Sequence, residues 1–582
     1  MNESHRTVRG GSAPRRLASM LLALAAAVGL LLGSALNAPA ADAAPARPKL
    51  PVGAAGVVAA MQPSWNLGNT LDAIPEETSW GNPLATRALL AKVRSEGYRS
   101  VRIPVTWTDH QSATAPYTID AAFMSRVKQI ADWAEAEGLY AVLNVHHDSW
   151  QWVSKMSTDH DNVLARFNST WTQISSAFKD EPRTLLFESI NEPQFDNATA
   201  AQKTQMLEEL NVSFHRIVRA SGGQNATRLL VLPTQACTPS QELMDELTTT
   251  IGKLDDPNLV ATVHYYSWYP FSVNIAGGTH YDEAARKDLD EAFARMRATF
   301  TAKGIPVYLG EYGLLGYPDD NHPSRIERGE AFKYFEHVGY AARQAGVTTA
   351  LWDPGFAYLN RTTLQWRDQE LFNVIKSSWT TRSGTASFDR FFVPKSGTVT
   401  DQSLTLNRNG LSFQGLWKGA TKLTAGLDYT VSGNTLTLKA AALTRLVGNR
   451  EYGVNSTIEA RFSRGLPWKI HVTTYDTPQQ SGATGTTDSL VIPTQFRGDQ
   501  LATMESVYAD GSNAGPADWT AFQEFNNNFR PDYTGNAITL TNTFLASLRD
   551  NAPVTLTFHF YSGAKVTYHV TRSGTSVTGT AS

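Results

Sequence analysis

Short apolar runs alternate with longer amphipathic segments from about residue 56 to residue 380. The runs 65–69, 100–105, 140–147, 185–192, 229–233, 259–266, 307–313 and 349–353 read as strands. Between them, 86–96, 121–137, 198–220, 283–303 and 325–344 carry the helical pattern, and Gly97, Gly138, Gly304 and Gly346 stand where helices stop. Eight strands alternating with helices over ~320 residues predict an α/β fold, a (β/α)8 TIM barrel. A doubly wound sheet would show a glycine-rich phosphate turn after an early strand, and none is present.

After Trp379 the pattern changes. A polar linker, 380–385, leads into sequence rich in Thr, Val, Leu and Gly, where short alternating strands such as 435–439 and 554–561 replace long amphipathic helices. Two small all-β sandwich modules are expected there. An internal echo supports two related units: Leu427-Asp428-Tyr429-Thr430 and 434–446 are matched by Pro531-Asp532-Tyr533-Thr534 and 536–548, and 465–472 by 563–570. The Pro/Gln/Ser/Gly/Thr-rich stretch 477–487 reads as the boundary between them.

Composition changes this picture in three ways. Arg6, Arg9, Arg15 and Arg16 precede an apolar run, 17–32, and small-residue cleavage patterns follow at 38–43. That order is a secretory signal peptide, 1–43, and predicts a secreted, extracellular protein with no membrane association after its removal. Beyond residue 43, 47 basic residues face 52 acidic ones, which argues against a nucleic-acid partner. A single cysteine, Cys237, excludes an internal disulfide. The 14 Trp, 20 Tyr and 25 Phe suit a cleft that stacks on sugar faces, although most of them belong in cores.

The candidate chemistry starts at Ile190-Asn191-Glu192-Pro193. A proline ends the fourth strand, leaving Asn191 and Glu192 where barrel active sites sit. Glu311 stands at the end of the seventh strand. Two carboxylates that meet across a barrel mouth are the pair that glycoside hydrolysis needs, one protonating the leaving oxygen and one attacking the anomeric carbon.

The ordered motifs Trp65-Asn66-Leu67-Gly68-Asn69, Arg102-Ile103-Pro104-Val105-Thr106-Trp107, Leu143-Asn144-Val145-His146-His147-Asp148, Ile190-Asn191-Glu192-Pro193, Val263-His264-Tyr265-Tyr266, Leu309-Gly310-Glu311-Tyr312-Gly313 and Leu351-Trp352-Asp353 span the barrel. Together they make residues 56–380 resemble glycoside hydrolase family 5, in the group containing endo-β-1,4-glucanases and xyloglucanases. Residues 387–475 resemble the immunoglobulin-like X2 module and 487–572 a family 46 carbohydrate-binding module. The resemblance implies Glu192 as general acid/base and Glu311 as nucleophile of a retaining reaction on cellulose, xyloglucan or mixed-linkage β-glucan. It implies a monomer that needs no cofactor. A mannan-cleaving relative of the same fold and a non-catalytic polysaccharide-binding protein are the alternatives, the latter weakened by the presence of both carboxylates.

Around that pair, Asn191 is placed to hold the sugar 2-OH, Arg102 and Tyr266 to bond Glu311, and His264 to touch the acid or the leaving group. Trp352 is expected as the stacking floor and Asn66 on the non-reducing side of the cleft. Strand alternation would point His146 and His147 to opposite sides, and the resemblance favours His146 as the cleft residue, with His147 packing or lining the rim. His146-His147-Asp148 lacks a zinc-like partner spacing, so no metal is expected. Trp80 is expected with Asn66 along the non-reducing side, while Trp107, Trp150, Trp152, Trp268 and Tyr269 are candidate sugar platforms, two or three of which are expected to serve. Trp519 and Tyr561 are the candidates in the last module, while Trp417 and Trp468 are read as core or interface.

Overall fold

The computed structural model describes residues 50–316 and 324–582. The expected signal peptide lies outside the described residues, among which no helix is long and apolar enough to cross a membrane. Eight parallel strands close a barrel: β1 (Ser64–Asn66), β2 (Ser100–Ile103), β3 (Tyr140–Asn144), β4 (Leu185–Glu188), β5 (Leu230–Pro233), β6 (Leu259–Tyr265), β7 (Val307–Tyr312) and β8 (Val347–Leu351). Closure comes from β1 pairing with both β2 and β8, Ser64 opposite Ser100 on one side and Ala350 on the other.

Strand residues divide between two cores with a period of two. Val101, Ile103, Ala141, Leu143, Leu185 and Phe187 pack outward against the helices, while Tyr140, Val142, Leu186, Val231, Val260, Tyr308 and Ala350 fill the bottom of the barrel. The helix Gly53–Ala60, with Val57, Val58 and Met61, joins that inner core. The bottom plug therefore starts ahead of residue 56, where the strand and helix pattern begins in the sequence. Climbing the barrel, the inward positions turn polar: Asn66 on β1, Arg102 on β2, Asn144 on β3 and Glu188 on β4 are all buried. A barrel interior that is apolar below and charged above has its chemistry at the top.

The second module stacks a five-stranded sheet on a four-stranded one around a core that includes Leu404, Leu416, Leu436, Ile458, Trp468 and Ile470. In the third, nine strands form one sheet order whose two ends share a single core, so the sheet folds over into a sandwich. The boundary stretch 477–487 already belongs to this last module: Gln479–Gln480 and Ala483–Thr486 are strands of its sheet, which ends with Ser576–Ala581, past residue 572.

The sequence echo has a structural counterpart. Each module contains a hairpin leading into a short helix: Tyr429–Ser432, Thr435–Leu438 and Ala440–Val447 in one, Phe529–Asp532, Ala537–Thr541 and Asn542–Leu545 in the other. The similar Asp-Tyr-Thr stretches do not superpose within it, because Tyr429 opens its strand while Tyr533 follows its own.

Candidate active site

Arg102 organises the mouth of the barrel. Its Nε and Nη2 donate to the two carboxylate oxygens of Glu188, both at 2.7 Å, while Nη1 reaches Glu311 Oε1 at 2.8 Å and Asn66 Oδ1 at 3.0 Å. Nη2 also donates to Asn191 Oδ1 at 2.8 Å. Burial works against the charge on this guanidinium, but Glu188 and then Glu311 outweigh it and raise its pKa well above the ordinary arginine value. Five N–H donors spread over three nitrogens of a planar fork serve Glu188, Glu311, Asn66 and Asn191 at once; an ammonium has three donors on one nitrogen.

Glu311 reaches the interior through an irregularity. Leu309 faces outward, so strict alternation would send Glu311 outward too, but the register of β7 shifts against both neighbours, at Val263/His264 and at Leu309/Tyr312. Such a bulge re-aims a side chain. Gly310 lets it happen: a Cβ there would lie 2.9 Å from Thr262 Oγ1 and 3.0 Å from His264 Nε2. The other Glu311 oxygen, Oε2, accepts from Tyr266 Oη at 2.6 Å.

Glu192 lies beyond the end of β4, in the left-handed region at φ 41°, a conformation that costs a non-glycine residue roughly 1–3 kcal/mol. Its Oε1 lies 2.7 Å from His264 Nδ1, which is also 3.5 Å from Glu311 Oε2. Carboxylate oxygens of Glu192 and Glu311 approach within 4.8 Å. The Glu192 side chain is 38% exposed against 6% for Glu311, so one carboxylate faces the opening and the other lies at the floor.

Their protonation is linked through the imidazole. Burial would raise the pKa of Glu192, but the hydrogen bond and charge of His264 bring it below the usual carboxylate value. Burial opposes charge on His264 as well. The neighbouring Cys237 sulfur, Glu311 and Glu192 overcome it, and the pKa of the ring lies well above its ordinary value. Glu192 and His264 thus titrate as a unit. His146 goes the other way: burial, followed by repulsion from His147, Arg102 and His264, holds it neutral.

Several expected contacts take different forms. Asn66 is fully buried, its amide donating to the carbonyls of Gly310, Ala350 and Leu351 and its Oδ1 accepting from Arg102, so it braces the barrel mouth and cannot line a sugar subsite. Arg102 has no exposed surface and likewise acts on Glu311 and Asn191 rather than on a ligand. Asn191 is buried by its bond to Arg102 and sits beside Glu192.

His146 and His147 do not alternate across a strand, because β3 stops at Asn144. Their rings meet edge to face at 4.4 Å, and His147 is the more open of the two. Trp352, just past β8, lies parallel to the His146 ring at 5.7 Å.

Of the aromatic candidates, Trp107 and Trp152 are buried, with their indole N–H groups bonded to Asn144 O and Asp148 Oδ1. Trp150 (53%), Tyr269 (51%) and Trp80 remain exposed, and Trp80 and Trp150 flank His147. In the last module Trp519 is 59% exposed. Tyr561 is instead an inter-module contact, stacked on Phe388 of the second module at 5.7 Å and against His280 of the barrel at 5.6 Å. Trp468 is core, and Trp417 lies between Lys422 and Arg461.

Asp148 binds Trp107 N, Thr108 and Trp152, not the histidines. The group that does converge is Asp72, His146 and His147. Trp150 Nε1 donates to His147 Nδ1 at 3.0 Å, which puts the ring proton on Nε2, 3.5 Å from Asp72 Oδ2. A cation there would have to displace that proton and break the tryptophan bond.

Glu188 was missed in the sequence. Its signal is an acid in an apolar strand, in register with Asn144; buried charges need partners, and Arg102 is the matching anomaly on β2.

Residues 67–357 match the family model Cellulase (glycosyl hydrolase family 5), 382–472 the carbohydrate binding domain X2, and 476–580 the carbohydrate binding domain CBM46. The chain is 48% identical over 573 residues to Endoglucanase B of Paenibacillus lautus, covering 98% of this chain and 100% of the relative. Among solved structures it resembles the full-length tri-modular endo-β-1,4-glucanase B of Bacillus halodurans, with TM-score 0.88, 44% identity, and coverage of 92% of this chain and 100% of that one. It also resembles a tri-modular endo-β-1,4-glucanase of Bacillus licheniformis, with TM-score 0.76, 29% identity and coverage of 89% and 100%.

Proposed function

The chain belongs to glycosyl hydrolase family 5, and from that premise we propose that it is a secreted, retaining endo-β-1,4-glucanase acting on cellulose-like, xyloglucan or mixed-linkage chains. The observation that carries the retaining mechanism is the approach of Glu192 and Glu311 oxygens within 4.8 Å. Direct attack needs carboxyl groups about 5–5.5 Å apart, whereas an inverting pair leaves about 6.5–9.5 Å for a water.

Glu311, held by Arg102 and Tyr266, attacks the anomeric carbon from the floor of the cleft. Glu192, at the open side, protonates the departing glycosidic oxygen. A glycosyl ester on Glu311 results, and Glu192, now a carboxylate, takes a proton from the water that hydrolyses it. Asn191 is the contact for the 2-OH, a bond that strengthens as positive charge develops on the ring. Trp352 supports the sugar at the point of cleavage, while Trp80, Trp150, Tyr269 and Trp519 are the exposed platforms for the rest of the chain. Two carbohydrate-binding modules beside the barrel and the printed activities of the relatives support a polysaccharide substrate.

The test is Glu311→Ala with anomer-resolved product analysis of the unaltered enzyme. The variant loses hydrolysis and still binds polysaccharide, and the unaltered enzyme first releases β-configured ends. Full activity in the variant, or α-configured first products, would overturn the assignment.

A further inference from the structure

We infer that the last module positions the nucleophile, through Asn274. This rests on the reading of Glu311 as nucleophile and adds a cause for its alignment that lies outside the barrel.

The loop after β6 carries Tyr266, whose hydroxyl bonds Glu311, and then the short helix Tyr269–Val273. Ser272 ties the helix back to the start of the loop, its hydroxyl donating to Tyr266 O. The same serine binds the segment after β7: Leu315 N donates to Ser272 Oγ at 2.8 Å and Gly316 N to Ser272 O at 2.7 Å. The loop is dense. Gly278 passes so near Pro270 that a Cβ would lie 2.2 Å from the Pro270 carbonyl oxygen. Displacing one end of such a unit displaces the other.

Asn274 caps the helix at φ 55° and is buried. Its Nδ2 donates to Arg325 O at 2.8 Å, in the barrel, and to Ala502 O at 3.0 Å, in the last module. Its own carbonyl accepts from Phe525 N of that module at 3.1 Å. Arg325 pairs with Glu524 at 2.9 Å, and Phe522 lies against Gly277. One buried amide therefore joins the last module, the β7 loop and the β6 loop, and the β6 loop ends on the hydroxyl that touches Glu311. Asn274 is a positioning residue; it touches no substrate.

Asn274→Gly removes the side chain at no backbone cost, because glycine adopts positive φ freely. It is measured in the full-length chain on a short aryl cello-oligosaccharide, alone and combined with Tyr266→Phe. The expected result is a fall in kcat of about fivefold with KM unchanged. In the Tyr266→Phe background the same change costs less than about twofold, since independent sites add and coupled ones do not. Asn274→Asp, which turns an acceptor toward the carbonyls of Arg325 and Ala502, gives a larger loss of the same kind. Equal losses in both backgrounds, or a lower Tm with kcat unmoved, would overturn the inference. Glu311→Ala, run in parallel, reports on the underlying reading: activity surviving there sinks the nucleophile assignment itself, whatever Asn274 does.

Discussion

Arg102 Nη1 lies 2.8 Å from Glu311 Oε1 while the same guanidinium grips both oxygens of Glu188. The nucleophile candidate is therefore held by a cation that is itself held in the barrel wall. Arg102→Lys keeps the charge and loses the fork: three donors replace five, so at least two of the five bonds to Glu188, Glu311, Asn66 and Asn191 go unmade. Expected is a drop in kcat/KM of about 100-fold or more, because the charge remains but the fork that orients Glu311 and Asn191 together does not. Arg102→Ala should instead fail on stability, since an uncompensated Glu188 costs roughly 3–5 kcal/mol. A lysine variant that keeps the kcat/KM of the unaltered enzyme would rule this out.

The pairing of Glu192 with His264 makes a different statement. In His264→Asn the charge that holds down the Glu192 pKa is gone, while burial, which raises it, remains. Glu192 should then stay protonated to higher pH than in the unaltered enzyme. Titration of Glu192 by carboxyl-labelled NMR checks this directly; a value unchanged or lowered in the variant would contradict the coupling. kcat is expected to fall by about 10- to 100-fold, the scale of a perturbed general acid.

How much of this was legible in the chain depends on what each residue answers to. All eight barrel strands follow from apolar runs and their spacing, because a strand buried on both faces has a strong local signature. Their ends did not. Glu192 lies four residues beyond β4, which stops at Glu188, and His146 and His147 lie past β3; apolar and polar residues near the mouth continue the pattern after the pairing has stopped. That is why alternation misassigned the two histidines.

The pair Glu192 and Glu311 was visible because carboxylates at two strand ends are chemically conspicuous. Asn66 was conspicuous for the same reason, yet its contacts are backbone carbonyls on β7 and β8, which only closure of the barrel brings to it. Tyr561 looked like a sugar platform because exposed and interfacial aromatics read alike until the neighbouring modules are in place.

Tyr561 and Trp519 can be told apart by experiment. Trp519→Ala removes an exposed ring and should lower activity on long polymers by several-fold while leaving short oligosaccharides nearly untouched. Tyr561→Ala removes a ring packed on Phe388 and His280. It should lower the Tm and loosen the modules in solution scattering without a selective loss on polymers. Deleting residues 487–582 mixes these effects and also takes away Ala502 and Phe525, the partners of Asn274, so it should lower activity on polymers most and on short substrates as well. A deletion that leaves short-substrate turnover intact would separate the module from the barrel's chemistry.

The junction of barrel and second module holds three buried acids, Glu327, Glu330 and Asp389, against Arg390 and Lys333. Burial is the main cause pushing Glu327 and Glu330 up to about 7 and Asp389 to about 6. An acid whose folded pKa is raised keeps its proton in the fold while the unfolded chain releases it, so its contribution to stability falls as pH rises from about 4.5 to about 7. His280 and His471, lowered to about 4, contribute in the opposite direction over part of that range, and the slope of the whole protein is a sum. Glu330→Gln isolates one member. Glu330 Oε2 accepts from Tyr281 N and binds Lys333, while Oε1 is buried with no hydrogen-bond partner among the described residues. An amide nitrogen can take the Oε1 position and leave the Oε2 contacts in place. Below about pH 4, where Glu330 is protonated in the fold and in the unfolded chain alike, the variant should match the unaltered protein. At pH 8 it should be the more stable by up to about 3 kcal/mol, the worth of a shift from 4.5 to about 7. The histidines cancel in the comparison because both proteins keep them. A Tm difference between the two that stays flat from pH 5 to pH 8, or that favours the unaltered protein at high pH, would mean that Lys333 compensates Glu330 fully and that the junction carries no buried charge penalty at this position.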